Sequence, residues 1–497
     1  MSKLETALPY PRDMTGRRTE WARLTEFATS GEPHATLGIV WGRRRVGKSF
    51  LLQSLATEAG GFYYEAIRGS SAEALRELGE QLGAYQGAAA PLALGDWDTA
   101  IGALLDLGSR GDTLVVLDEV PYLLEHTPEL DSIVQRAYGP RSQRRTMSRA
   151  RLVLCGSAVS VMSRMLGGTA PLRGRAGLDL RISAFDFRLA RAFHGIDDLA
   201  TAFRTFAVIG GVAAYAREMV DGDLPAAHSD FDRWVCRRIL SPSAPLFSEI
   251  GLLLSEDPST SKARKINLYH AALAGIATGH HAHGRLTAYV KISGASLAPI
   301  LDALVSAELV ERVSDPIRDN RPTYHPADSL IRFHYAVIRR HHARLARHGA
   351  DARQLWEQLR PTFESLVLGP CFEAAARYWT MHFADPSTVG GGADHVGPST
   401  ILLSDGSERQ VDVLIAADDA DAPSERTVTA LGEAKAGETL SERHLRRLHD
   451  VRDALGERAA GARLLLFGRD FTRELDAIAK RRADVELIDL ERLYTGS

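Results

Sequence analysis

Residues 42–49 read Gly-Arg-Arg-Arg-Val-Gly-Lys-Ser, two glycines that flank a basic turn, followed by a lysine and a serine. The apolar run Leu37 to Trp41 comes directly before them and the helical run Phe50 to Ala56 directly after, which predicts the order strand, loop, helix. Glycines let successive backbone N–H groups turn inward around phosphates at a helix N-terminus, where the helix dipole favours anions. The stretch therefore predicts a phosphate-binding loop (P-loop) for a nucleoside triphosphate.

The residues of this loop have separate expected roles. Lys48 would reach the β- and γ-phosphates of ATP, and Ser49 would be a ligand of Mg²⁺. Lysine is rare here, with seven lysines among the 60 basic side chains, so a lysine inside a motif indicates that a compact ammonium is needed. The loop residues expected to bind nucleotide are Gly42, Arg43, Arg44, Arg45, Val46, Gly47, Lys48 and Ser49.

A second element of the same site is predicted downstream. The apolar run Leu114 to Leu117 ends in Asp118 and Glu119. We expect Asp118 to hold the hydration shell of Mg²⁺ and Glu119 to polarise the attacking water. The alternative is a strand that ends in two solvated acids. A further strand predicted at Phe62 to Ala66 is typical of the P-loop folds that carry a catalytic glutamate.

Two more residues are candidates for contact with the γ-phosphate. Ser157 follows the predicted strand Arg151 to Cys155, and it would either sense the γ-phosphate or cap the next helix. Arg175 lies in a later turn, where it could act as an arginine finger on its own chain or on a neighbouring copy, so a homo-oligomer stays open. An ordinary surface arginine is the alternative reading of Arg175.

Four segments together carry a family resemblance. They are Gly16-Arg17-Arg18-Thr19-Glu20-Trp21, Asp118-Glu119-Val120-Pro121-Tyr122, Cys155-Gly156-Ser157 and Pro171-Leu172-Arg173-Gly174-Arg175. With the P-loop they make most of residues 10–220 resemble the archaeal-type ATPases of the STAND and AAA+ branch. The resemblance implies an ATP-hydrolysing α/β domain and places Arg17 near the nucleotide base. That family has a proline after a Gly-Gly pair, whereas residues 210–215 here read Gly-Gly-Val-Ala-Ala-Tyr.

The remaining chain predicts a helical region, a winged helix and a second α/β domain. Three short helices and a hairpin are expected between Asn267 and Asp328, which is the pattern of a winged helix. Its third helix carries few long polar side chains, so packing inside the protein is favoured over DNA reading. The predicted domains are the P-loop ATPase domain 1–184, a helical lid or adaptor 185–260, the winged helix 261–345 and a nuclease-like domain 346–497.

The last domain contains a candidate metal site. Asp412 interrupts the apolar strand Val411 to Ile415, where an acid is unfavourable unless it is paired or metal-bound. Glu433 and Lys435 are two apart on the next predicted strand, so they point to one face. Two carboxylates for a divalent cation and one ammonium for a water or phosphate suit metal-dependent phosphodiester hydrolysis.

This C-terminal pattern resembles the PD-(D/E)xK nuclease superfamily. Its predicted order is helix, three strands, helix, strand, helix, strand, and Glu373 lies on the first helix. The resemblance implies a restriction-endonuclease-like fold with Glu373, Asp412, Glu433 and Lys435 in the active site, Asp412 and Glu433 being the Mg²⁺ ligands. Val411 stands where the motif's name has proline. A nuclease-like domain that binds without cutting is the alternative.

Bulk composition restricts the function less than the motifs do. A chain of 497 residues predicts several domains, and a net charge of -3 means that any DNA or RNA partner would be bound by local basic patches. Three distant cysteines, no signal pattern and no long apolar run lead us to expect a cytoplasmic protein that does not associate with a membrane.

Two functions follow as hypotheses. The first is an ATP-binding and ATP-hydrolysing switch of the STAND/AAA+ type, coupled to a Mg²⁺-dependent nuclease-like C-terminal domain. The second is a signalling or DNA-binding ATPase that does not cleave and that acts through its winged helix or its C-terminal domain.

Overall fold

The computed structural model describes residues 8–167, 170–256, 259–260, 265–347, 351–418 and 426–497. The chain divides into two units. The first comprises the described residues of Met1–Phe185, Val212–Ala214 and Ser255–Ser261, and the second comprises those of Asp186–Gly211, Tyr215–Leu254 and Lys262–Ser497.

The first unit is built on a five-stranded parallel sheet. Its strands are β1 (Thr36–Trp41), β2 (Phe62–Glu65), β3 (Thr113–Asp118), β4 (Ala150–Gly156) and β5 (Ala176–Arg181). Their order across the sheet is β2-β3-β4-β1-β5, and every pair is parallel. The α/β fold with a parallel sheet predicted for this part of the chain is therefore confirmed.

Helices cover both faces of this sheet, which is why its strands read as nearly continuous apolar runs. Along β3, Val115 and Leu117 join the core on one face while Leu114 and Val116 join the core on the other. The helices of this unit are α1 (Arg18–Ala28), α2 (Lys48–Ala59), α3 (Ser71–Tyr85), α4 (Trp97–Asp106), α5 (Val120–His126), α6 (Leu130–Ala137), α7 (Gln143–Thr146) and α8 (Val159–Leu166), with a 3₁₀ turn at Leu107–Ser109.

The strand order decides where the loops meet. Parallel strands end at the same edge of a sheet, and β3, β4 and β1 are consecutive neighbours. The P-loop after β1, Ser157 after β4 and the Asp118-Glu119 pair at the end of β3 therefore lie side by side at the edge where α/β sheets bind ligands.

The second unit contains a mixed five-stranded sheet and a separate hairpin. The hairpin is β6 (Val310–Asp315) with β7 (Arg318–Pro326). The sheet strands are β8 (His395–Leu402), β9 (Glu408–Asp418), β10 (Arg426–Lys435), β11 (Arg463–Gly468) and β12 (Val485–Ile488), in the order β12-β11-β10-β9-β8. The pairs β8/β9 and β9/β10 are antiparallel, and β10/β11 and β11/β12 are parallel.

The helices of the remaining chain follow the predicted order, with three helices before the hairpin. They are α9 (Phe187–His194), α10 (Leu199–Ile209), α11 (His228–Trp234), α12 (Pro245–Glu256), α13 (Ile266–Ala277), α14 (His283–Val290), α15 (Gly294–Ser306), α16 (Ser329–Phe333), α17 (Arg339–Leu345), α18 (Ala352–Phe363), α19 (Gly369–His382), α20 (Glu442–Leu455), α21 (Arg473–Ala479) and α22 (Leu490–Thr495). Short π-helices occupy Tyr215–Met219, Val235–Ile239, His334–Ile338 and Glu364–Leu368, and a 3₁₀ turn occupies Gly456–Ala459.

Within the described ranges, no single helix combines the length and the apolar composition needed to cross a bilayer. The pair α14 and α15 reaches that length only together, and it is bent by 107°.

A buried arginine fixes one end of the parallel sheet. Arg151 on β4 is completely buried, and its guanidinium donates to the carbonyl oxygens of Ser30, Glu32 and His34 at 2.5, 2.8 and 2.8 Å. The same group forms an ion pair with Asp112 at 2.6 Å. One side chain thus holds the loop before β1 against the loop before β3.

We expect Arg151→Ala to lower the free energy of unfolding by about 3 kcal/mol, because three backbone carbonyl oxygens lose a completely buried donor and Asp112 loses one of its two arginine partners. The matched control is Arg149→Ala, which removes a half-exposed arginine paired with the same Asp112 and should change stability by less than about 1 kcal/mol. Urea denaturation followed by tryptophan fluorescence measures both. Equal effects of the two substitutions would contradict this assignment.

Candidate functional site

The P-loop has the backbone that a phosphate site needs. Gly42 has φ +152°, and a Cβ there would lie 2.1 Å from the carbonyl oxygen of Ile182. Arg45 and Gly47 both have positive φ, 69° and 95°, and Gly47 is the N-cap residue of α2. An added Cβ at Gly47 would meet only Ala213, at 3.9 Å. The first N–H groups of a helix have no partner within the helix, so this turn can present donors to an anion.

The Lys48 side chain is bonded to the backbone of this turn. The side chain is buried, and its Nζ donates to the carbonyl oxygen of Arg43 at 2.9 Å. Ser49 lies beside it in the first turn of α2 and is partly exposed. The lysine that the sequence singled out is therefore positioned by the loop backbone itself, within the turn that is expected to surround phosphate.

A short segment from later in the chain supports the loop. The backbone N–H of Ala214 donates to the carbonyl oxygen of Arg45 at 3.1 Å. The segment after Gly210-Gly211 thus makes a direct backbone bond to the P-loop.

Arg17 supports the loop from the other side. It is buried, and its Nη2 donates to the carbonyl oxygens of Val46 at 2.9 Å and Ser183 at 2.8 Å. Its Nη1 bonds to Glu20 at 2.9 Å, and the guanidinium lies 4.2 Å from the centre of the Phe185 ring. The family resemblance places Arg17 near the base, whereas these contacts give it a role in holding the backbone of the P-loop.

Asp118 is completely buried, and both of its carboxylate oxygens accept hydrogen bonds. Oδ1 accepts from the N–H of Glu119 at 2.8 Å, and Oδ2 accepts from the Tyr63 hydroxyl at 2.8 Å. The alternative of a solvated acid is therefore wrong for Asp118. An acid held this firmly at a strand end keeps one orientation towards the loop.

Glu119 belongs to a network that reaches back to the P-loop. Its φ is 54°, and its two carboxylate oxygens both lie 2.8 Å from the Ser157 hydroxyl, which donates to them. Nε of Arg44 donates to the same Ser157 oxygen at 3.2 Å, and the Arg44 guanidinium also bonds to the Tyr122 hydroxyl. The N-cap residue of α8 is Ala158, without a side-chain bond, so the helix-cap alternative for Ser157 is wrong.

Arg175 lies in a tight turn before β5, with its N–H donating to the carbonyl oxygen of Leu172 at 3.0 Å. Its side chain is partly exposed. Within the part of the chain that the structure describes, no hydrogen bond or ion pair fixes its guanidinium. A role for Arg175 at a γ-phosphate stays a prediction.

The four predicted residues of the C-terminal site come together in the second unit. Asp412 on β9 is buried, and its Oδ2 accepts from the Ala434 N–H at 3.0 Å and from Lys435 Nζ at 2.7 Å. Lys435 Nζ also lies 3.7 Å from Oε1 of Glu433. Burial alone lowers the pKa of Lys435, but Asp412 and Glu433 raise it by more, so its pKa lies above the ordinary value and the side chain stays charged.

Glu373 faces this group from α19. Burial, and then the charge of Asp412, raise the pKa of Glu373 from 4.5 to about 7, against the opposing effect of Arg377. Nη1 of Arg377 donates to the carbonyl oxygen of Asp412 at 2.9 Å. Glu373 is thus a carboxyl group that can gain or lose a proton close to neutral pH.

The acids of this C-terminal site are already bonded to basic side chains of the protein, and this limits how well the site fits a metal ion. Asp412 is bonded to Lys435, and Glu433 accepts from Nη1 of Arg447 at 3.0 Å. Among the residues that the structure describes, no three His, Cys, Asp or Glu side chains are grouped closely enough to hold a metal. Asp412 and Glu433 have the right chemistry for Mg²⁺, but they would have to release these partners to bind it.

Several site residues have no signal in the sequence. Tyr63 precedes Asp118 by a long stretch of chain, and Arg377 and Arg447 are two of many arginines on helices. Their contacts depend on how β2, α19 and α20 lie against the strands that carry the acids. The buried position of Arg377, one turn after Glu373 on α19, is the single hint that periodicity could have given.

No protein-family model matches the chain. One similar curated protein is an uncharacterized protein of Methanocaldococcus jannaschii, 23% identical over 307 residues. The match covers 60% of this chain and only 63% of that protein.

Three solved structures are similar to part of the chain. The Walker-type ATPase of Pyrococcus abyssi has a TM-score of 0.48 and 22% identity, over 65% of this chain and 96% of that chain. The ORC2 protein of Aeropyrum pernix has a TM-score of 0.38 and 16% identity, over 72% and 96%. The RuvB Holliday junction branch migration motor of Thermotoga maritima has a TM-score of 0.31 and 14% identity, over 64% and 96%.

We expect the stability of the second unit to depend on pH through Glu373. The folded chain keeps this proton up to a pH of about 7, whereas an unfolded glutamate releases it near pH 4.5. Stability should therefore fall as the pH rises through this window. Glu373→Gln should be more stable than the wild type at pH 8 by up to about 3 kcal/mol, and the difference should shrink towards pH 5.

Denaturant unfolding between pH 5 and 8 measures this difference. The control is Glu457→Gln, which changes an exposed glutamate of the same unit and should leave the pH profile unaltered. A Glu373→Gln profile that runs parallel to the wild-type profile would show that Glu373 does not have a raised pKa.

Proposed function

We propose that this chain is an ATP-binding and ATP-hydrolysing switch of the STAND/AAA+ type, with Mg²⁺ as cofactor, and that it controls a nuclease-like site near its C-terminus. The observation that carries the first part is the arrangement of Lys48, bonded across a turn with two positive-φ residues, next to Asp118 and Glu119. This arrangement supports phosphate binding and water activation at one sheet edge.

In this proposal the residues divide into binding and catalytic groups. The N–H groups at the start of α2 and the ammonium of Lys48 bind the β- and γ-phosphates, and Ser49 and Asp118 hold Mg²⁺. When bound, Mg²⁺ neutralises charge on the phosphate oxygens. Glu119 accepts a proton from the attacking water. Arg175 would add a positive charge, from the same chain or from a second copy.

Ser157 and Arg44 would make the activity of Glu119 depend on the state of the loop. Arg44 is a P-loop residue, and it donates to the hydroxyl that holds the Glu119 carboxylate. If a bound phosphate attracts the Arg44 guanidinium, the bond from Arg44 to Ser157 would break. The hydrogen bond from the Ser157 hydroxyl to the Glu119 carboxylate would then change. This contact supports a role for Ser157 in sensing the γ-phosphate.

At the C-terminal site the proposed activity is Mg²⁺-dependent hydrolysis of a phosphodiester in DNA or RNA. Asp412 and Glu433 would be the metal ligands once Lys435 and Arg447 turn towards the phosphate. Glu373, whose pKa is raised to about 7, can exchange a proton near neutral pH. Support comes from the convergence of Asp412, Glu433 and Lys435 on neighbouring strands.

A second candidate is an ATPase that does not cleave nucleic acid. It is favoured by the ion pairs that occupy both acids, Lys435 with Asp412 and Arg447 with Glu433. In that case residues 261–345, proposed as a winged helix, or residues 346–497 bind a partner when the ATPase region 1–184 and the helical region 185–260 change state.

We expect Glu119→Gln to bind ATP normally but to hydrolyse it at least about 100-fold more slowly, because the amide cannot accept the proton of the water. Steady-state phosphate release and retention of labelled ATP on a filter measure the two properties. The matched control is Glu125→Gln, which changes an exposed glutamate on α5, the helix that directly follows Glu119. Wild-type turnover by Glu119→Gln would exclude it as the catalytic base.

We expect the wild-type chain with Mg²⁺ to cleave DNA or RNA and Lys435→Ala to lose at least about 100-fold in rate, since phosphate and water lose a positive charge. Lys480→Ala removes an exposed lysine of the same unit and is the control. Full cleavage by Lys435→Ala would refute the site. Absence of cleavage by the wild type, with and without ATP, would favour the second candidate.

A further inference from the structure

Tyr63 contacts Asp118, one of the two acids of the proposed nucleotide site. It lies on β2, which pairs with β3 in parallel, so that Glu65 is the residue opposite Asp118. The Tyr63 hydroxyl reaches across and donates to Oδ2 of Asp118 at 2.8 Å. The neighbouring Tyr64 points to the other face of the sheet, where its hydroxyl donates to the carbonyl oxygen of Ala74 at 3.2 Å.

The surroundings of Asp118 make this bond important. Asp118 is completely buried, and its other oxygen, Oδ1, accepts from the N–H of Glu119 at 2.8 Å. On the other side stands Cys155 of β4, and burial together with Asp118 raises the pKa of its thiol well above the ordinary value, so it stays neutral. Tyr63 therefore provides the side-chain hydroxyl that binds Oδ2 of this carboxylate.

Tyr63 is partly buried and packs against the apolar core between α2 and the sheet. Its ring lines an open cavity of about 500 Å³ beside α2, together with Gln53, Thr57 and Tyr85. A phenylalanine at this position would keep the ring in that wall and would remove only the hydroxyl.

We propose that Tyr63 is a positioning residue for the Mg²⁺-binding carboxylate of Asp118. The inference rests on the proposed function, because it takes Asp118 as part of the Mg²⁺ site of an ATPase. A buried carboxylate that loses one of its hydrogen-bond donors is less firmly oriented. Its contribution to binding of Mg²⁺ with ATP must then fall, while contacts of the phosphates with the P-loop remain.

The test is calorimetric titration of ATP into the full chain, in excess Mg²⁺ and again in EDTA. The ratio of the two affinities measures what the metal contributes to binding, without any turnover. For Tyr63→Phe we expect this ratio to fall about tenfold, with affinity in EDTA unchanged. Tyr64→Phe removes the adjacent hydroxyl on the other face and should keep the wild-type ratio.

Each other outcome contradicts one claim. A wild-type ratio in Tyr63→Phe, or an equal loss in EDTA and in Mg²⁺, would overturn the positioning role and leave the proposed ATPase intact. The same loss in Tyr64→Phe would assign the effect to the strand and not to the contact with Asp118. If the wild-type chain itself binds no ATP under either condition, the proposed function fails and the inference fails with it.

Discussion

The parallel pairing of β3, β4 and β1 is the constraint on which the first unit depends. Because these strands are neighbours and point the same way, the P-loop, Ser157 and the Asp118-Glu119 pair emerge at one edge. The loop then needs support from behind, and Arg17 and Ala214 provide it by bonding to the carbonyl oxygens of Val46 and Arg45. A sheet topology and a few backbone contacts thus create the polar site.

Much of the fold of the first unit could be predicted, because apolar runs typical of strands alternate with glycine-containing or acidic turns. Leu114 to Leu117 is an apolar run that ends in acids, and residues 42–49 place glycines where a helix begins. Both elements lie where the pattern predicts them. The roles of Arg17 and Tyr63 could not be predicted, because a long side chain can reach any of several carbonyls or carboxylates. Which one it reaches is decided by packing between elements distant in sequence.

At the C-terminal site, too, the sequence predicted which residues come close together but not how their charges are paired. An acid inside an apolar strand was a sound signal for Asp412, since burial requires a partner. Its partner is Lys435, and the sequence predicted their proximity but not that the ammonium and Arg447 would satisfy both acids in the folded chain. The charges that surround a site come from helices such as α19 and α20, whose side chains are not ordered by any local pattern.

We propose that Lys48 and its loop bind a nucleoside triphosphate. Calorimetric titration of ATP into the wild-type chain and into Lys48→Ala, with circular dichroism to show that both are folded, tests it most directly. We expect one ATP bound per wild-type chain and no measurable binding to Lys48→Ala, because the turn that surrounds the phosphates loses its ammonium. Equal affinity of the two proteins would contradict the assignment of the nucleotide site to Lys48 and its loop.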